Sequence, residues 1–330
     1  MELRQSLLQR ISSVDENTFS TLALDIFQYQ AAYLPLYADY LNLLQIEPSQ
    51  VEAVADIPFL PIQFFKKELL KTGSWNAQKI FTSSGTTGAT TAQHPVRELD
   101  FYLDNTQRGF EQFYGDLSNY CILALLPAYL ERQGSSLVAM ADDFIKKSKY
   151  AQSGFFLHDL KRLSQLLITN QQHQIPTLLI GVSFALWDLA EQFPADYSKI
   201  IIMETGGMKG RRPEITRTDL HQIFNQAFQT QFIHSEYGMT ELLSQAYSKG
   251  NGIFYPTATM RVTTREVTDP FQPQGYGKTG VLNIIDLANL DTISFIATDD
   301  LGKVFADGSF TVLGRLDASD VRGCNLLVLE

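Results

Sequence analysis

The chain has 330 residues, 45% of them hydrophobic and 19% charged, a composition that excludes a disordered or fibrous protein and allows a large α/β unit with subdomains. Its 36 acidic and 26 basic side chains leave a net charge of −10, which repels nucleic-acid backbones and acidic membranes, and no basic cluster is denser than Lys209, Arg211 and Arg212. Two cysteines, Cys121 and Cys324, build no disulfide framework, and with neither an apolar signal segment nor a run of ~18 apolar residues the expectation is a soluble protein of the reducing cytoplasm.

Residues 1–75 are predicted to form a helical layer, because Phe19, Leu22, Ile26 and Phe27 recur at three- and four-residue intervals. Inside it, residues 57–65 carry Pro58 and Pro61 around an apolar centre and read as an extended connector. Residues 76–250 alternate short apolar runs with helical stretches, the order of an α/β subdomain. The runs 120–126, 177–181, 199–203 and 231–234 are predicted as buried strands. Helices are predicted over 159–169 and over 213–229, the second opening on Pro213. Residues 251–330 turn β-rich, with strands expected at 260–263, 280–285, 292–298 and 309–313, a Pro/Gly-rich loop at 269–277 and a turn at Asp307-Gly308. No internal repeat or low-complexity tract occurs.

Two segments carry chemistry. In Phe81-Thr82-Ser83-Ser84-Gly85-Thr86-Thr87-Gly88 two glycines let backbone N–H groups approach a polyphosphate, and four hydroxyls in the stretch Ser83 to Thr87 offer donors to its oxygens. On residues alone this loop reads equally well as a solvated Ser/Thr/Gly turn. It is not a Walker A loop, since no lysine follows Gly88. The second segment is His234-Ser235-Glu236-Tyr237-Gly238-Met239-Thr240-Glu241, following a predicted strand at the edge where α/β sheets bind ligands. Its ring, glycine, hydroxyl and carboxylate can stack a base, admit it closely, touch phosphate and hold Mg²⁺; each residue alone is as readily structural. His94, His158, His173 and His221 show no metal-ligand spacing, so Mg²⁺ enters only through a nucleotide.

In this order the two segments resemble the adenylate-forming superfamily of acyl-CoA synthetases, phenylacetate-CoA ligases and related enzymes, and three further motifs extend the resemblance. Glu204-Thr205-Gly206-Gly207 is similar to the superfamily's glycine pair beside the adenine. Thr298-Asp299-Asp300-Leu301-Gly302 resembles its Thr-Gly-Asp motif, which gives Asp300 the ribose hydroxyls. Gly314-Arg315-Leu316-Asp317 resembles Gly-Arg-x-Asp, with Arg315 on the nucleotide and Asp317 at the hinge to a lid. The implied fold is the superfamily's α/β N-terminal core, with βα subdomains and a small C-terminal β subdomain. The resemblance assigns ATP to Ser83, Ser84, Gly85, Thr86, Thr87, Gly88, Gly206, Gly207, Glu236, Tyr237, Gly238, Thr240, Asp300 and Arg315, and Mg²⁺ to Glu241.

Within the superfamily the chain most resembles the acyl-protein synthetases of the bacterial luminescence fatty-acid reductase complex. The match rests on Leu126-Pro127-Ala128-Tyr129-Leu130-Glu131 with Ser135-Ser136-Leu137-Val138, on Thr205-Gly206-Gly207-Met208-Lys209-Gly210, and on Asp317-Ala318-Ser319-Asp320-Val321-Arg322-Gly323-Cys324. It implies that Cys324 takes the acyl group from an acyl-adenylate and passes it to a reductase or acyltransferase partner, with neighbouring Arg322 favouring the thiolate. A lone cysteine is otherwise an ordinary apolar residue, and Cys121, inside an apolar run, reads as core. A fatty acid is the implied substrate and an aryl acid the alternative, with Tyr129, Gly181 and Ser183 lining the pocket.

The chain departs from the superfamily in two places. The usual lid domain of about a hundred residues is expected to be absent, because the sequence ends 13 residues after Asp317. The usual lysine after the phosphate loop is missing, which leaves Lys209 either to stabilise the leaving pyrophosphate or as a surface lysine. His234 is expected to face the crevice near the substrate carboxylate, with a packed, hydrogen-bonded ring as the alternative. Two rival functions stay open: an acyl- or aryl-CoA ligase whose lid comes from another chain, and a catalytically inactive nucleotide-binding subunit. An oligomer is compatible with either.

Overall fold

The computed structural model describes residues 2–83, 91–127, 134–208, 212–213 and 215–316. Ser84, Gly85, Thr86, Thr87, Gly88, Tyr129, Lys209 and Cys324 lie outside the described residues. In chain order the elements are α1 (Glu2–Ser12), α2 (Phe19–Tyr33), α3 (Pro35–Leu43), β1 (Leu60–Pro61), α4 (Phe64–Lys67), β2 (Lys79–Thr82), β3 (Gln93–Val96), α5 (Leu99–Tyr114), β4 (Cys121–Leu125), α6 (Ser136–Lys147), β5 (Gly154–Phe155) and α7 (Leu160–Gln172). They continue with β6 (Thr177–Val182), α8 (Ser183–Gln192), β7 (Ile201–Thr205), α9 (Arg217–Phe228), β8 (His234–Tyr237), β9 (Ala246–Ser248), β10 (Ile253–Pro256), β11 (Met260–Arg265), β12 (Thr279–Asp286), β13 (Phe295–Val304) and β14 (Phe310–Arg315). The fold is mixed α/β. The chain forms two compact units, one from Ala77 to Thr257 and the other from the segments before and after it.

The unit between Ala77 and Thr257 is built on strands in the order β10-β9-β8-β7-β6-β4-β5, with a separate antiparallel pair β2-β3. Strands β4 through β8 run parallel to their neighbours, and β9 and β10 then turn antiparallel. Every residue of β4 and of β6 is buried, as expected of apolar runs in a parallel sheet covered on both faces. Helix starts follow side-chain caps. Asp159 accepts the Arg162 N–H at 3.0 Å to open α7, and Thr216 Oγ1 accepts the Asp219 N–H at 3.1 Å to open α9. That cap explains why α9 starts at Arg217 and not at Pro213. The fourth strand also moves: it was expected over 231–234 and runs over His234–Tyr237, because its buried Ser235 and Glu236 interrupt the apolar pattern by which a strand is read.

The other unit carries an antiparallel sheet in the order β11-β12-β13-β14, with β1 added parallel to β13 through Leu60↔Ile296. The connector at 57–65 thus contributes a short strand and runs into α4. The strand expected over 292–298 begins at Phe295 and continues to Val304, with a register shift between Leu301 and Gly302. Gly302 sits where a Cβ would lie 2.1 Å from the Thr311 carbonyl oxygen, so no other residue fits there.

Gln30 ties the N-terminal helices to this sheet. It is fully buried on α2. Its Nε2 donates to the carbonyls of Asn289 and Leu290 at 3.0 and 3.1 Å, and its Oε1 accepts the Ser294 N–H at 3.0 Å. Arg4 adds a two-pronged contact to Asp291, at 2.6 and 2.5 Å. Gln30→Leu leaves those backbone groups buried without their partner and is expected to destabilise this unit by roughly 3 kcal/mol. Gln28→Leu, which removes an exposed 2.7 Å bond to the Pro48 carbonyl, is expected to cost less than about 1 kcal/mol. Urea denaturation of both variants checks the difference.

Candidate functional site

Strands β6, β7 and β8 end in register, with Val182 beside Thr205 and Thr205 beside Glu236. Three motif segments therefore leave neighbouring strands at the C-terminal edge of the parallel sheet, the edge at which open α/β sheets bind ligands. From β6 the chain passes straight into α8 at Ser183. From β7 it enters Gly206, whose φ of 72° suits glycine, and then Gly207, around whose missing Cβ there is open space. From β8 it enters Gly238, where a Cβ would stand 2.4 Å from Glu236 Oε1. A close approach by a ligand is open at Gly207, whereas at Gly238 the space is already filled by the carboxyl.

Two buried carboxyls flank this edge on opposite faces, since successive strand residues alternate and Glu204 precedes Thr205. Glu204 Oε1 accepts from Arg217 Nε at 2.9 Å and lies 3.5 Å from His221 Nε2. Its Oε2 accepts from Ser183 Oγ at 3.2 Å, and the same hydroxyl is 3.3 Å from the Gly206 carbonyl oxygen. Burial alone pushes Glu204 up, yet His221 and the Arg217 charge outweigh it and hold the carboxyl below its ordinary range. Glu236 meets a different environment. Thr205 Oγ1 donates to its Oε2 at 2.5 Å, and no ion pair to it occurs among the described residues. Burial, only partly opposed by that hydrogen bond and reinforced by the negative charge of Glu204, raises Glu236 to about 7.

The remaining sequence-selected residues take varied positions. Tyr237 is buried, with its ring packed edge-on to Phe254 at 5.9 Å. Thr240 accepts, through its carbonyl, a 2.8 Å bond from Nδ1 of His94, whose complete burial pushes the imidazole down to about 4. Glu241 is buried. Ser83 fixes the base of the small-residue loop, its Oγ accepting the Ala92 N–H at 2.9 Å. Gly181 gives its missing Cβ to packing: Leu186 Cγ would be 2.9 Å and Leu125 Cβ 3.0 Å away.

His234, the first residue of β8, pairs with Met203, two positions back from the end of β7. Its Nδ1 is 3.1 Å from the Tyr114 hydroxyl, and burial together with the Lys249 charge pushes it down to about 4. The ring is held in an aromatic layer with Tyr114 and Tyr247. These contacts hold the ring through Nδ1 and its face against Tyr114.

In the other unit Asp300 and Arg315 are cross-strand partners, with Arg315 Nε donating to Asp300 Oδ1 at 3.2 Å. The arginine side chain is 70% exposed and the aspartate 9%. Asp300 N–H donates to Thr298 Oγ1 at 3.1 Å, and Arg265 donates to the Thr298 carbonyl at 2.6 Å, so the stretch of β13 before Asp300 is held from both sides. Asp299 accepts from Gln63 at 2.6 and 2.8 Å.

Sequence reasoning missed Arg217, His221, Tyr114 and Tyr247. A signal for the first two was present, since an arginine and a histidine four residues apart share one helix face and call for an acidic partner. Among the described residues no group of three or more His, Cys, Asp or Glu could hold a metal ion.

The sequence matches no protein-family model and no curated protein. Solved structures do match. ATP-bound MatB from Rhodopseudomonas palustris superposes with a TM-score of 0.52 at 16% identity, over 72% of this chain and 47% of that one. This chain thus spans about half the length of MatB. 2-Hydroxyisobutyryl-CoA ligase in its postadenylation state with 2-HIB-AMP gives 0.68 at 14% identity, over 94% and 70%. The same ligase in its thioesterification state with 2-HIB-AMP and CoA gives 0.66 at 15%, over 96% and 69%. The chain has the fold of these ligases' adenylate-forming cores.

The two kinds of shifted group set opposite pH limits. Keeping His94 and His234 neutral contributes stability that is full above 6.5 and is lost as pH falls through about 4. Glu236 is raised, so its contribution is full below 4.5 and is lost as pH rises through about 7. Glu236→Gln has no proton to lose there. Its unfolding free energy is expected to exceed that of the wild type at pH 8 by up to on the order of 3 kcal/mol, with the difference shrinking toward pH 4.5. Parallel stability curves from pH 4.5 to 8 would remove the titration assigned to this carboxyl.

Proposed function

We propose that the chain activates a carboxylic acid with ATP to an acyl-adenylate and then transfers the acyl group to a thiol, that of Cys324. The observation that carries this reading is the placement of Thr205-Gly206-Gly207 and Tyr237-Gly238 at the ends of adjacent parallel strands, in a fold shared with acyl-CoA ligases.

In this reading Gly206, Gly207, Tyr237 and Gly238 form the wall for the base, and Asp300 takes the ribose hydroxyls. Ser83, Ser84, Gly85, Thr86, Thr87, Gly88, Thr240 and Arg315 serve the phosphates. Bound Mg²⁺ neutralises phosphate charge, with Glu241 as its protein ligand. The substrate carboxylate oxygen attacks the α-phosphorus, the bond to the bridging oxygen breaks, and pyrophosphate leaves with its charge met by Lys209. The Cys324 thiolate then attacks the acyl carbon and AMP leaves, so the energy of the phosphoanhydride is kept in a thioester. Tyr129 and Ser183 line the acyl pocket, to which Gly181 contributes backbone only, since its side-chain position is packed. His234 stays outside the chemistry because of its bond to Tyr114. A fatty acid is the substrate favoured by the sequence resemblance, and a reductase or acyltransferase is the onward acceptor.

Coenzyme A as acceptor is the second reading, favoured by the CoA-bound state of the structurally similar ligase. Intact-protein mass spectrometry separates the two. After incubation with ATP, Mg²⁺ and a panel of fatty and aryl acids, the wild type is expected to gain a hydroxylamine-labile acyl mass that Cys324→Ala lacks. Turnover that requires coenzyme A and survives Cys324→Ala would transfer the proposal to a CoA ligase. ATP binding without acid-dependent pyrophosphate exchange would leave an inactive nucleotide-binding subunit.

A further inference from the structure

Glu236 occupies an unusual place. Through Oε2 it accepts from Thr205, the residue immediately before Gly206. Through Oε1 it fills the space beside Gly238 that a Cβ would otherwise take, at 2.4 Å. One carboxyl therefore touches both turns that leave β7 and β8. It is 8% exposed, so it lies under these turns and presents little surface to a ligand. The sequence resemblance counts Glu236, which stands just ahead of Tyr237-Gly238, among the ATP residues without giving its side chain a contact.

We propose that Glu236 is a positioning residue that braces the 206–207 turn, through Thr205, against the 237–238 turn, so that both sides of the base wall are held as one rim. The inference rests on the adenylation reading for what the rim binds, but not for the brace itself. A single side chain shared by two turns makes their conformations interdependent: displacing the carboxyl releases the Thr205 hydroxyl on one side and opens a void next to Gly238 on the other.

The brace should depend on the charge of this group. Glu204 of β7, on the other face of the sheet, opposes its ionisation through its negative charge, and Tyr247 lies directly across on β9, with Tyr114 and Tyr102 of α5 also near that tyrosine. Thr205, Gly238 and Gln245 complete the immediate surroundings and carry no charge. No cation faces it among the described residues, so ionisation places an uncompensated charge under the rim. That charge would draw in water and separate the turns. The acid form is the one that fits, and its loss near pH 7 supports a dependence of the rim on pH.

The test uses the full chain with two substitutions and two readouts. Glu236→Gln keeps the shape and an acceptor for Thr205 without a titratable proton, whereas Glu236→Ala removes the brace. In acid-dependent pyrophosphate exchange, the wild-type KM for ATP is expected to rise several-fold between pH 6.5 and 8.5. Glu236→Gln is expected to flatten that rise. Glu236→Ala is expected to raise KM by about tenfold at every pH with a smaller change in kcat, as loss of one buried hydrogen bond would do. A wild-type pH profile in Glu236→Gln, or an unchanged KM in Glu236→Ala, would overturn the proposal.

Hydrogen exchange of the ligand-free protein reads the brace independently of the reaction. Amides at 205–208 and 237–240 are expected to exchange faster together in Glu236→Ala and to stay protected in Glu236→Gln at pH 6.5. Acceleration in neither turn, or in one alone, overturns the brace. Joint acceleration in a protein that binds no ATP would keep the brace and overturn the adenylation reading.

Discussion

Two carboxyls one strand apart at the same sheet edge cannot both carry charge without compensation, and much of the architecture around β7 and β8 answers that constraint. Strand alternation sends Glu204 and Glu236 to opposite faces. On the Glu204 face α9 supplies Arg217 and His221 one turn apart, and both converge on Glu204 Oε1. The choice has wide consequences. α9 must start where Thr216 caps it so that its first turn reaches Glu204. Arg217 is in turn stacked on Phe254 of β10, its guanidinium 5.0 Å from the ring centre. Ser183, at the first position of α8, divides its hydroxyl between Glu204 and the Gly206 carbonyl, so the ionised carboxylate also sets the course of the chain out of β7.

The opposite face is solved with rings in place of charges. Phe110 stacks on Tyr114 at 4.7 Å, and Tyr247 meets Tyr114 edge-on at 5.7 Å. A layer of this kind lowers the local dielectric response, which disfavours any ion placed in it. The same environment keeps Glu236 protonated longer and His234 neutral, although the two shifts run in opposite directions along the pH scale. In both the largest cause is the same, removal of water from around the group. His94 of β3, completely buried and bonded to the Thr240 carbonyl on the loop that follows β8, is pushed down by the same loss of water.

This division also explains what could be read from the chain. Apolar strands such as β4 and β6 announce themselves, because burial on both faces leaves an uninterrupted hydrophobic run. Gly206 was legible because the chain leaves β7 there with a φ of 72°, which favours glycine. β8 was displaced in the prediction by three residues, since its own sequence, His-Ser-Glu-Tyr, is polar and becomes a buried strand only through partners on β7, β9 and α5. The electrostatic roles of Glu204 and Glu236 were not legible at all. They depend on whether a cation from a helix thirteen residues away in sequence, or a hydroxyl from the next strand, arrives at the carboxyl. Gly181 shows the same limit from the other side: a glycine that reads as room for a ligand is filled by Leu186 and Leu125.

The pairs also differ in how readily they could exchange partners with a ligand. Breaking a buried pair such as Glu204–Arg217 by removing one partner costs about 3–5 kcal/mol, because the remaining charge is left without solvent. Such a pair is suited to holding geometry and poorly suited to releasing it for each turnover. The Asp300–Arg315 pair stands at the other extreme, with its arginine 70% exposed, and an exposed pair is worth about 0–1 kcal/mol. Asp300 is fixed by the Thr298 hydroxyl at its backbone N–H. The stability of an ion pair and the ease with which it exchanges partners are thus opposed quantities.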